Sequence, residues 1–565
     1  MKISMISMVP GIHNPGLRII SACLKQAGHD VNLFFLMKEY HKKYSETIMN
    51  NLVELTKESH MVGISVVTNF FDNAIQITQK LRNNYDFPIL WGGIHPTIRS
   101  EESLDHADMI CLGESEETIV ELADKIQNKQ YYYDIKGMGF NNKGKKIVNG
   151  LRPQPGSKNA AIIKSLDQIP FQDYDYRSHF ILKGENIVKI DQKIMEQCAD
   201  LYQTLPTRGC PFGCTYCINN ILNAMYPHQK PIRKRSVDNI IGELQEAKKN
   251  LPFLNMIQFI DDAFFLMSVD EIRDFSKRYK EQIGLPLWIN GITPTTLTKE
   301  KLSPLVDAGL VEIQMGIQSG AESTKKLYRR QHSNQRVANV AKIANEYRDQ
   351  VKAVYDTMLD SPWETDEDLK ETLMFLSKLP TPFQLTSHSL VFYPETDIYK
   401  KAKKEGLIKD DLTDVYRKHL EGCTNSHLNK LFFLLNDYTI VGIGISPIIM
   451  FILTHKMTKK LYLHKFLRNV IRALLPLFRY IGQSTRPSTR LYYGGNILKF
   501  GEGKATYRNY VRDEYSMKMS LKGINSESWL VKKPSPWLVR KFKKMKLMLF
   551  KASHGLKSLD IIKKK

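Results

Sequence analysis

Three cysteines lie close together near the middle of the chain: Cys210, Cys214 and Cys217, at spacings of four and three residues. Thiolates are soft ligands that suit an iron–sulfur cluster or a zinc ion. A closed structural zinc site takes four ligands, so three thiolates leave one metal position open to an external ligand. Gly209 and Gly213 favour a tight loop around a compact centre. The spacing therefore predicts a metal centre with one open coordination position.

A zinc ion completed by a distant ligand is the alternative interpretation of these thiols. His228 and Cys198 are the candidate fourth ligands. The chain has 7 cysteines, and an odd number with one tight group argues against a secreted disulfide scaffold. Residues 1–20 lack the basic-then-apolar pattern of a signal peptide. We therefore expect a cytoplasmic protein with a metal site.

The elements before the cysteines follow a regular alternation. Strands are predicted at residues 2–8, 31–35, 61–67, 88–91 and 108–112, and helices at residues 17–27, 73–83 and 116–126. This alternation predicts an α/β domain over residues 1–130, built on a doubly wound parallel sheet. Ligands of such sheets bind beyond the carboxyl ends of the strands. The Gly-, Pro- and Ser-rich loops at that edge are therefore candidate binding segments.

A second alternating series surrounds and follows the cysteines. Strands are predicted at residues 256–260, 287–292, 311–316, 351–359 and 384–392, and helices at residues 236–249, 269–279, 298–308, 321–327 and 366–376. With a strand before Cys210, this makes about six β/α units, so residues 201–410 are predicted to form a partial TIM-type (β/α)6 barrel. Residues 131–200 are expected to be an irregular connector, and residues 411–565 a helical C-terminal region.

The net charge of +22 is concentrated at one end of the chain, since residues 456–565 hold 27 Lys and Arg against 5 Asp and Glu. Helical patterns at residues 461–481 and 537–550 mix these charges with Leu, Ile, Phe and Trp. Three interpretations stay open: a solvated basic face, an anionic membrane surface and RNA. RNA is the least favoured, because no nucleic-acid module is recognisable. The uncharged run at residues 439–454 is shorter than the ~20 residues that span a bilayer.

The pattern Cys210-x-x-x-Cys214-x-Tyr216-Cys217, at the end of a first barrel strand, resembles the radical SAM superfamily. The resemblance implies that the three thiolates hold a [4Fe-4S] cluster whose open iron chelates S-adenosylmethionine (SAM). One electron, from a donor such as flavodoxin or ferredoxin, then yields a 5′-deoxyadenosyl radical that abstracts a substrate hydrogen. It also implies that Tyr216, beside the ligands, contacts the cofactor.

Further segments resemble the SAM-binding strands of the same superfamily. Asp261 and Asp262 end a segment similar to the second strand, where a carboxylate accepts hydrogen bonds from the SAM ammonium group. A helix-capping role is the alternative for either residue. Gln318 and Ser319 lie in a segment similar to the fourth strand and are expected near the ribose or carboxylate. Residues 356–365 resemble the loop that packs on adenine.

The N-terminal domain resembles the cobalamin-binding domain that precedes the barrel in one branch of this superfamily. The resemblance rests on residues 63–68, 91–97 and 111–116. It implies that the corrin approaches the backbone at two glycines and that polar side chains bind its amides or tail. The expected cobalamin contacts are Ser65, Thr68, Gly92, Gly93, His95, Gly113 and Glu114. A domain that keeps the fold without the cofactor is the alternative.

One motif of other cobalamin proteins is absent. The Asp-x-His-x-x-Gly sequence that supplies a lower cobalt ligand has only its second half here, in His13-Asn14-Pro15-Gly16, with Gly11 at the aspartate position. A metal-ligating histidine normally has a partner that orients it, and none is evident nearby in the sequence. We therefore expect His13 to be a loop histidine and cobalamin to bind without a protein histidine.

These features lead to one principal hypothesis and two alternatives. The principal one is a cobalamin-dependent radical SAM enzyme that methylates an unactivated carbon of a small-molecule or lipid-like substrate. The first alternative is oxidative cyclisation or rearrangement without methyl transfer. The second is a cobalamin- or redox-sensing regulator whose cluster is structural. A membrane-seeking C-terminal region would favour a lipid-like substrate and a peripheral position on the inner face of the membrane.

Overall fold

The computed structural model describes residues 1–455 except 39, 40, 331 and 421, together with residues 458, 464, 466, 467 and 469. Most of the helix predicted at residues 461–481, all of the one predicted at 537–550 and nearly all of the basic segment therefore lie outside the described residues. Two sheets organise the rest, one before and one after residue 200.

The first sheet has nine strands in the order β7-β6-β5-β4-β3-β1-β2-β8-β9. Its strands β1 to β5 pair in parallel, and β8 joins β2 in parallel. Helices cover both faces, so the predicted α/β doubly wound domain is confirmed. The bounds are β1 Lys2–Ser7, α1 Pro15–Gln26, β2 Asp30–Phe35, α2 Glu46–Thr56, β3 Met61–Ser65, α3 Phe71–Arg82, β4 Ile89–Gly92, α4 Ile94–Ile98, α5 Ser100–Leu104, β5 Met109–Cys111, α6 Glu116–Gln127, β6 Met138–Asn142, β7 Lys145–Val148, β8 His179–Lys183 and β9 Asn186–Lys189.

The expectation that residues 131–200 form an irregular connector is wrong in part. Strands β6 and β7 form one hairpin and β8 and β9 another, and the two hairpins extend opposite edges of the first sheet. Of their outer strands, β7 is mostly exposed and β9 buries only Ile187 of its four residues, and each strand has two polar residues. They therefore lack the apolar run by which buried parallel strands are recognised. A short helix, α7 (Gln192–Cys198), ends this part of the chain.

The second sheet has six strands in the order β10-β13-β14-β15-β16-β17, all parallel, with helices between them. This is the predicted partial barrel of six β/α units. The bounds are β10 Leu201–Thr204, β11 Thr207–Arg208, α8 Ile218–Met225, β12 Arg233–Lys234, α9 Val237–Asn250, β13 Met256–Phe259, α10 Val269–Gln282, β14 Leu287–Ile292, α11 Lys299–Asp307, β15 Leu310–Gln318, α12 Glu322–Leu327, α13 Asn334–Glu346, β16 Lys352–Leu359, α14 Asp366–Leu376, β17 Gln384–Ser389, α15 Asp397–Lys404, α16 His427–Thr439 and α17 Pro447–Thr454.

Local sequence explains where several barrel helices begin. Ser236 caps α9 by accepting a hydrogen bond from the Asn239 amide, as the sequence predicts. Ser268 and Glu271 form a capping box at the start of α10. Along β15, Ile313, Met315 and Ile317 are fully buried, and the residues between them alternate to the other face, inside the barrel.

The uncharged run at residues 439–454 is divided between the end of α16 and the short helix α17. Of the helices within the described part of the chain, none combines the length and the apolar character needed to cross a membrane.

Candidate active site

The three cysteines occupy one loop between β11 and α8, and none forms a disulfide. Cys210 and Cys214 are buried, while Cys217 is partly exposed. The Cys217 amide donates to the Cys214 carbonyl (3.1 Å), which folds the loop back on itself. Gly209 opens the loop with a φ of +87°, and a Cβ there would overlap the Pro231 carbonyl oxygen. The loop therefore wraps tightly, as a compact cluster requires.

The surroundings of the thiols suit metal-bound thiolates. Burial raises the pKa of Cys210 to about 12 and that of Cys217 to about 11, so bound metal is what would hold them deprotonated. The Arg330 guanidinium donates to Cys214 Sγ (3.6 Å) and to the Gly316 carbonyl oxygen, and it brings a cation to an anionic cluster. Within the described residues, no group of three or more His, Cys, Asp or Glu side chains has the geometry of a single-ion site.

The two adjacent aspartates after β13 have different surroundings. Asp261 is 1% exposed, and its oxygens accept from the Thr207 amide and hydroxyl (2.5 and 2.7 Å) and from the Ala263 amide (2.7 Å). It therefore fixes the strand that leads into the cysteine loop. Asp262 is exposed, accepts from Asn219 Nδ2 (2.9 Å) and lies near Cys210, whose pKa its charge helps to raise. Of the two, Asp262 is the one available to a ligand at the thiols.

The end of β15 shows a similar division. Ser319 is 1% exposed, and its hydroxyl bonds Thr372 Oγ1 (2.9 Å) and donates to Glu364 Oε1 (3.2 Å). Gln318 instead is partly exposed, in a left-handed conformation (φ +70°) at an irregularity in the β15–β16 register. Its Nε2 lies over the Cα of Gly316, the residue whose carbonyl accepts from Arg330. Gln318 thus faces the cysteine side of the barrel. Ser319 is buried and links the loop after β15 to the loop after β16 and to α14.

The inside of the barrel is polar. Gln203 Nε2 donates to Gln258 Oε1 (2.8 Å), and Gln258 Nε2 donates to Asn290 Oδ1 (3.4 Å). On the neighbouring strands β15 and β16, Gln314 Nε2 donates to Asp356 Oδ1 (2.8 Å). Burial raises the pKa of Asp356 to about 7, against which the Gln314 hydrogen bond acts. These residues were not singled out from the sequence, although Glu312, Gln314 and Gln318 recur on one side of β15 between buried apolar residues. They offer hydrogen bonds to a molecule that enters the lumen.

Other residues named from the sequence lie around the barrel mouth. Tyr216 packs edge-on against Tyr328 (5.2 Å between ring centroids) beside Cys214. In the loop expected to pack on adenine, the Trp363 indole donates to Glu405 Oε2 (2.6 Å), at the C-terminal end of α15. Burial lowers the pKa of His388, on β17, and its Nδ1 has no partner among the described residues.

The carboxyl edge of the first sheet has an open, uncharged part at the ends of β3 and β4. Ser65 is partly exposed at the end of β3, beside Gly92 at the end of β4. Gly93 is exposed with a φ of +99°, and a Cβ there would lie 2.9 Å from the Val66 carbonyl oxygen. A flat cofactor can approach the backbone closely at such a surface. These three residues fit the contacts implied for cobalamin.

Thr68 and His95 are buried behind this surface rather than exposed on it. Thr68 Oγ1 lies 3.2 Å from His95 Nδ1, and His95 is 0% exposed. The His95 ring packs against Phe71 and Tyr416, and its burial lowers its pKa to about 3. Both residues shape the loop from below.

His13 faces the connector. Its Nδ1 lies 3.4 Å from the Tyr174 hydroxyl, and burial, with Arg18 nearby, lowers its pKa to about 3. These contacts agree with a loop histidine.

The end of β5 is tied to the cysteine loop by a buried ion-pair network. Glu114 accepts from Arg208 Nη1 (2.9 Å) and from Arg233 Nη1 (2.8 Å), and Glu116 accepts from Arg208 Nη1 (2.6 Å). Arg208 lies two residues before Cys210. Beside this network Gly113 has a φ of +71°, and a Cβ would overlap the hydroxyl of Tyr226, which follows α8. Glu114, expected as a cofactor contact, therefore uses its carboxylate to join the two sheets' functional edges.

Comparison with family models identifies both halves of the chain. Residues 1–123 match the B12 binding domain, and residues 204–376 match the radical SAM superfamily. An uncharacterized methyltransferase of Pyrococcus horikoshii is 23% identical over 445 residues, which cover 76% of this chain and 88% of that protein. The bacteriochlorophyllide d C-8(2)-methyltransferase of Chlorobaculum tepidum is 25% identical over 383 residues, covering 66% and 74%.

Two shorter matches have different named activities. An anaerobic magnesium-protoporphyrin IX monomethyl ester cyclase of Rubrivivax gelatinosus is 23% identical over 285 residues, covering 47% of this chain and 45% of that protein. The hopanoid C-3 methylase of Methylococcus capsulatus is 24% identical over 265 residues, covering 45% and 43%.

Solved structures share the fold. The cobalamin-dependent SAM radical enzyme OxsB, with aqua-cobalamin and SAM bound, aligns with a TM-score of 0.57 at 14% identity, covering 96% of this chain and 80% of that chain. The radical SAM methyltransferase TsrM of Kitasatospora setae, with its tryptophan substrate and a SAM analogue, aligns with a TM-score of 0.55 at 14% identity, covering 72% and 76%. The chain therefore carries an N-terminal B12 binding domain and a radical SAM domain, and the cofactors that these two domains imply are a four-iron cluster, SAM and cobalamin.

Proposed function

We propose that this enzyme methylates an unactivated carbon by a radical route. When bound, the iron–sulfur cluster and one SAM supply the radical, and cobalamin carries a methyl group that comes from a second SAM. The observation that carries the proposal is the network of Arg208 and Arg233 with Glu114, because it holds the cysteine loop against the edge of the first sheet. Two cofactors that serve one carbon atom need their binding edges held together in this way.

The chain's own residues divide this work. Cys210, Cys214 and Cys217 are proposed to hold the cluster, with Arg330 as the positioning residue that donates to Cys214. Tyr216, Asp262 and Gln318 are proposed to contact SAM, while Asp261 and Ser319 hold the segments that carry them.

On the first sheet, Ser65, Gly92 and Gly93 are proposed to meet the corrin, with Gly113 at the same edge. Thr68 and His95 support that surface from below, and Glu114 positions it against the barrel.

The test is a product assay on anaerobically reconstituted enzyme with SAM, cobalamin and a flavodoxin or ferredoxin donor. The proposal expects both 5′-deoxyadenosine and S-adenosylhomocysteine from the wild type, and neither from Cys210→Ala. Cleavage of SAM that persists in Cys210→Ala would overturn the cluster assignment.

The cyclase relatives make oxidative ring formation or rearrangement the second candidate function. The same assay separates the two candidates, because a cyclase would form 5′-deoxyadenosine without S-adenosylhomocysteine. A cobalamin- or redox-sensing regulator would form neither product from wild-type protein.

We propose further that the substrate is lipid-like but carries a polar group near the reacting carbon. The basic C-terminal segment and the relative named as a hopanoid methylase support the apolar part. Gln258, Asn290 and Asp356 in the lumen support the polar part, because buried hydrogen-bonding groups need partners when water leaves. The enzyme would then be cytoplasmic and peripheral on the inner face of the membrane.

A further inference from the structure

The outward side of α17 carries a concentrated apolar surface. Ile448, Ile449, Phe451 and Ile452 are all exposed, with Ile448 at 72% and Phe451 at 62%. These are four of the nine large hydrophobic side chains that are exposed among the described residues, and one helix of eight residues holds them. Single exposed hydrophobic residues are ordinary, whereas a contiguous group marks an interaction surface.

The opposite side of α17 is anchored to the fold. Met450 is 0% and Leu453 1% exposed, and the helix packs against α14 and α16. Pro447 at the first helical position fixes where the helix begins. The apolar face is therefore held outward by a buried one.

Charge distribution indicates what this face meets. The sequence has no Asp, Glu, Lys or Arg between Asp437 and Lys456, so nothing charged opposes burial of the face in an apolar phase. The segment that begins at Lys456 then carries the whole net charge of +22. Apolar side chains beside a strongly basic segment are the combination that binds an anionic lipid surface.

The dimensions favour a helix that lies on the surface of a bilayer. Eight residues of α-helix rise about 12 Å, against a hydrocarbon core of about 30 Å. RNA could neutralise the basic segment but has no apolar phase to receive four aliphatic and aromatic side chains.

We propose that α17 docks this enzyme on an anionic lipid bilayer, with Ile448, Ile449, Phe451 and Ile452 entering the interface and residues 456–565 attracted to the headgroups. The inference rests on the proposed function in one respect, since a lipid-like substrate is the reason for such docking. The contact itself requires no catalysis.

The experiment is flotation of the full-length reconstituted enzyme with vesicles of phosphatidylcholine alone or mixed with phosphatidylglycerol. We expect the wild type to float with the mixed vesicles only. The double variant Ile448→Ser and Phe451→Ser should partition at least about ten-fold less, because two large apolar side chains no longer enter the interface. Ile162→Ser is the matched control: Ile162 is 67% exposed, and its amide donates to Glu117 on α6 of the N-terminal domain, so its variant should float like the wild type.

Three results would overturn the proposal: wild-type protein that stays in solution with both vesicles, a double variant that floats as well as the wild type, or binding to polyuridylate RNA in place of vesicles. Formation of 5′-deoxyadenosine without vesicles checks that the double variant is folded. Because Cys210→Ala should still float, loss of flotation and loss of the proposed catalysis are separate failures.

Discussion

The carboxyl edges of the two sheets meet at one place but differ in chemical character. The edge of the barrel presents thiols, a guanidinium and a carboxylate, from Cys214, Arg330 and Asp262. The open part of the first sheet's edge presents backbone and a small hydroxyl, at Gly93 and Ser65. One edge is therefore built to bind through ligation and charge, and the other through close approach. We therefore expect substitutions at the two edges to impair different functions: those at the barrel edge should affect the cluster, and those at the first sheet's edge should affect contact with cobalamin.

The network that joins the two edges gives the largest expected effect on stability. Glu114→Gln removes the carboxylate that pairs with the buried Arg233, while Arg208 stays paired with Glu116. Removing the partner of a buried charge costs about 3–5 kcal/mol of unfolding free energy. Chemical denaturation measures the loss. Glu58→Gln is the control, because Glu58 is 68% exposed and its ion pair with Lys2 lies at the surface, so its loss should cost less than about 1 kcal/mol. Equal stability losses in the two variants would show that the network does not hold the edges together.

A positioning residue at the barrel edge gives the next effect. Arg330→Met removes the donor to Cys214 Sγ, and loss of a group that supports a metal ligand typically costs about 10–100-fold in activity or metal affinity. The cluster's reduction potential should also become more negative, because a cation and a hydrogen bond to sulfur are lost. Arg330→Lys should restore part of the potential. Arg329→Met is the control, since Arg329 is exposed and pairs with Asp397. If the reduction potential of the cluster is unchanged in Arg330→Met, Arg330 does not have the positioning role proposed for it.

The lumen gives a smaller, pH-dependent effect. The pKa of Asp356 is raised from 3.8 to about 7, so the folded state binds this proton more tightly than the unfolded state does. The contribution of Asp356 to stability is then fully present below about pH 4 and is lost as the pH rises through about 7. Asp356→Asn should therefore gain stability relative to the wild type between these pH values and keep that gain above them.

Thermal unfolding of the wild type and Asp356→Asn at several pH values measures this difference. Asp270→Asn, at a carboxylate that is 92% exposed, should follow the wild type at every pH. If the melting temperatures of Asp356→Asn and the wild type differ by the same amount at every pH, Asp356 is not a buried carboxyl that retains its proton.

The sequence predicted the architecture well where strands are apolar and buried. The runs of β1 to β5 and the alternation of β13 to β17 were sufficient to anticipate two parallel sheets. The hairpins of β6 to β9 were missed, because their strands have only four or five residues and the outer ones, β7 and β9, lack a continuous apolar run.

The site could be predicted only as far as local spacing reaches. The cysteine loop is recognisable because its three ligands lie within eight residues of chain. Asp262 is exposed, whereas Asp261 and His95 are buried. This difference depends on tertiary packing, which neighbouring residues in the sequence do not determine. Arg330 lies 116 residues from Cys214 in the sequence, so only the fold reveals their contact.

The central claim is that both edges serve one methyl transfer, and the most direct test is the ratio of products in Gly93→Val. A Cβ at this position is strained and approaches the Val66 carbonyl, so the variant should lose close contact with cobalamin while the cysteine loop stays intact. Ser65→Leu, which needs no unusual backbone, is the companion variant. Both should still form 5′-deoxyadenosine but lose S-adenosylhomocysteine. Wild-type amounts of both products in both variants would contradict the account.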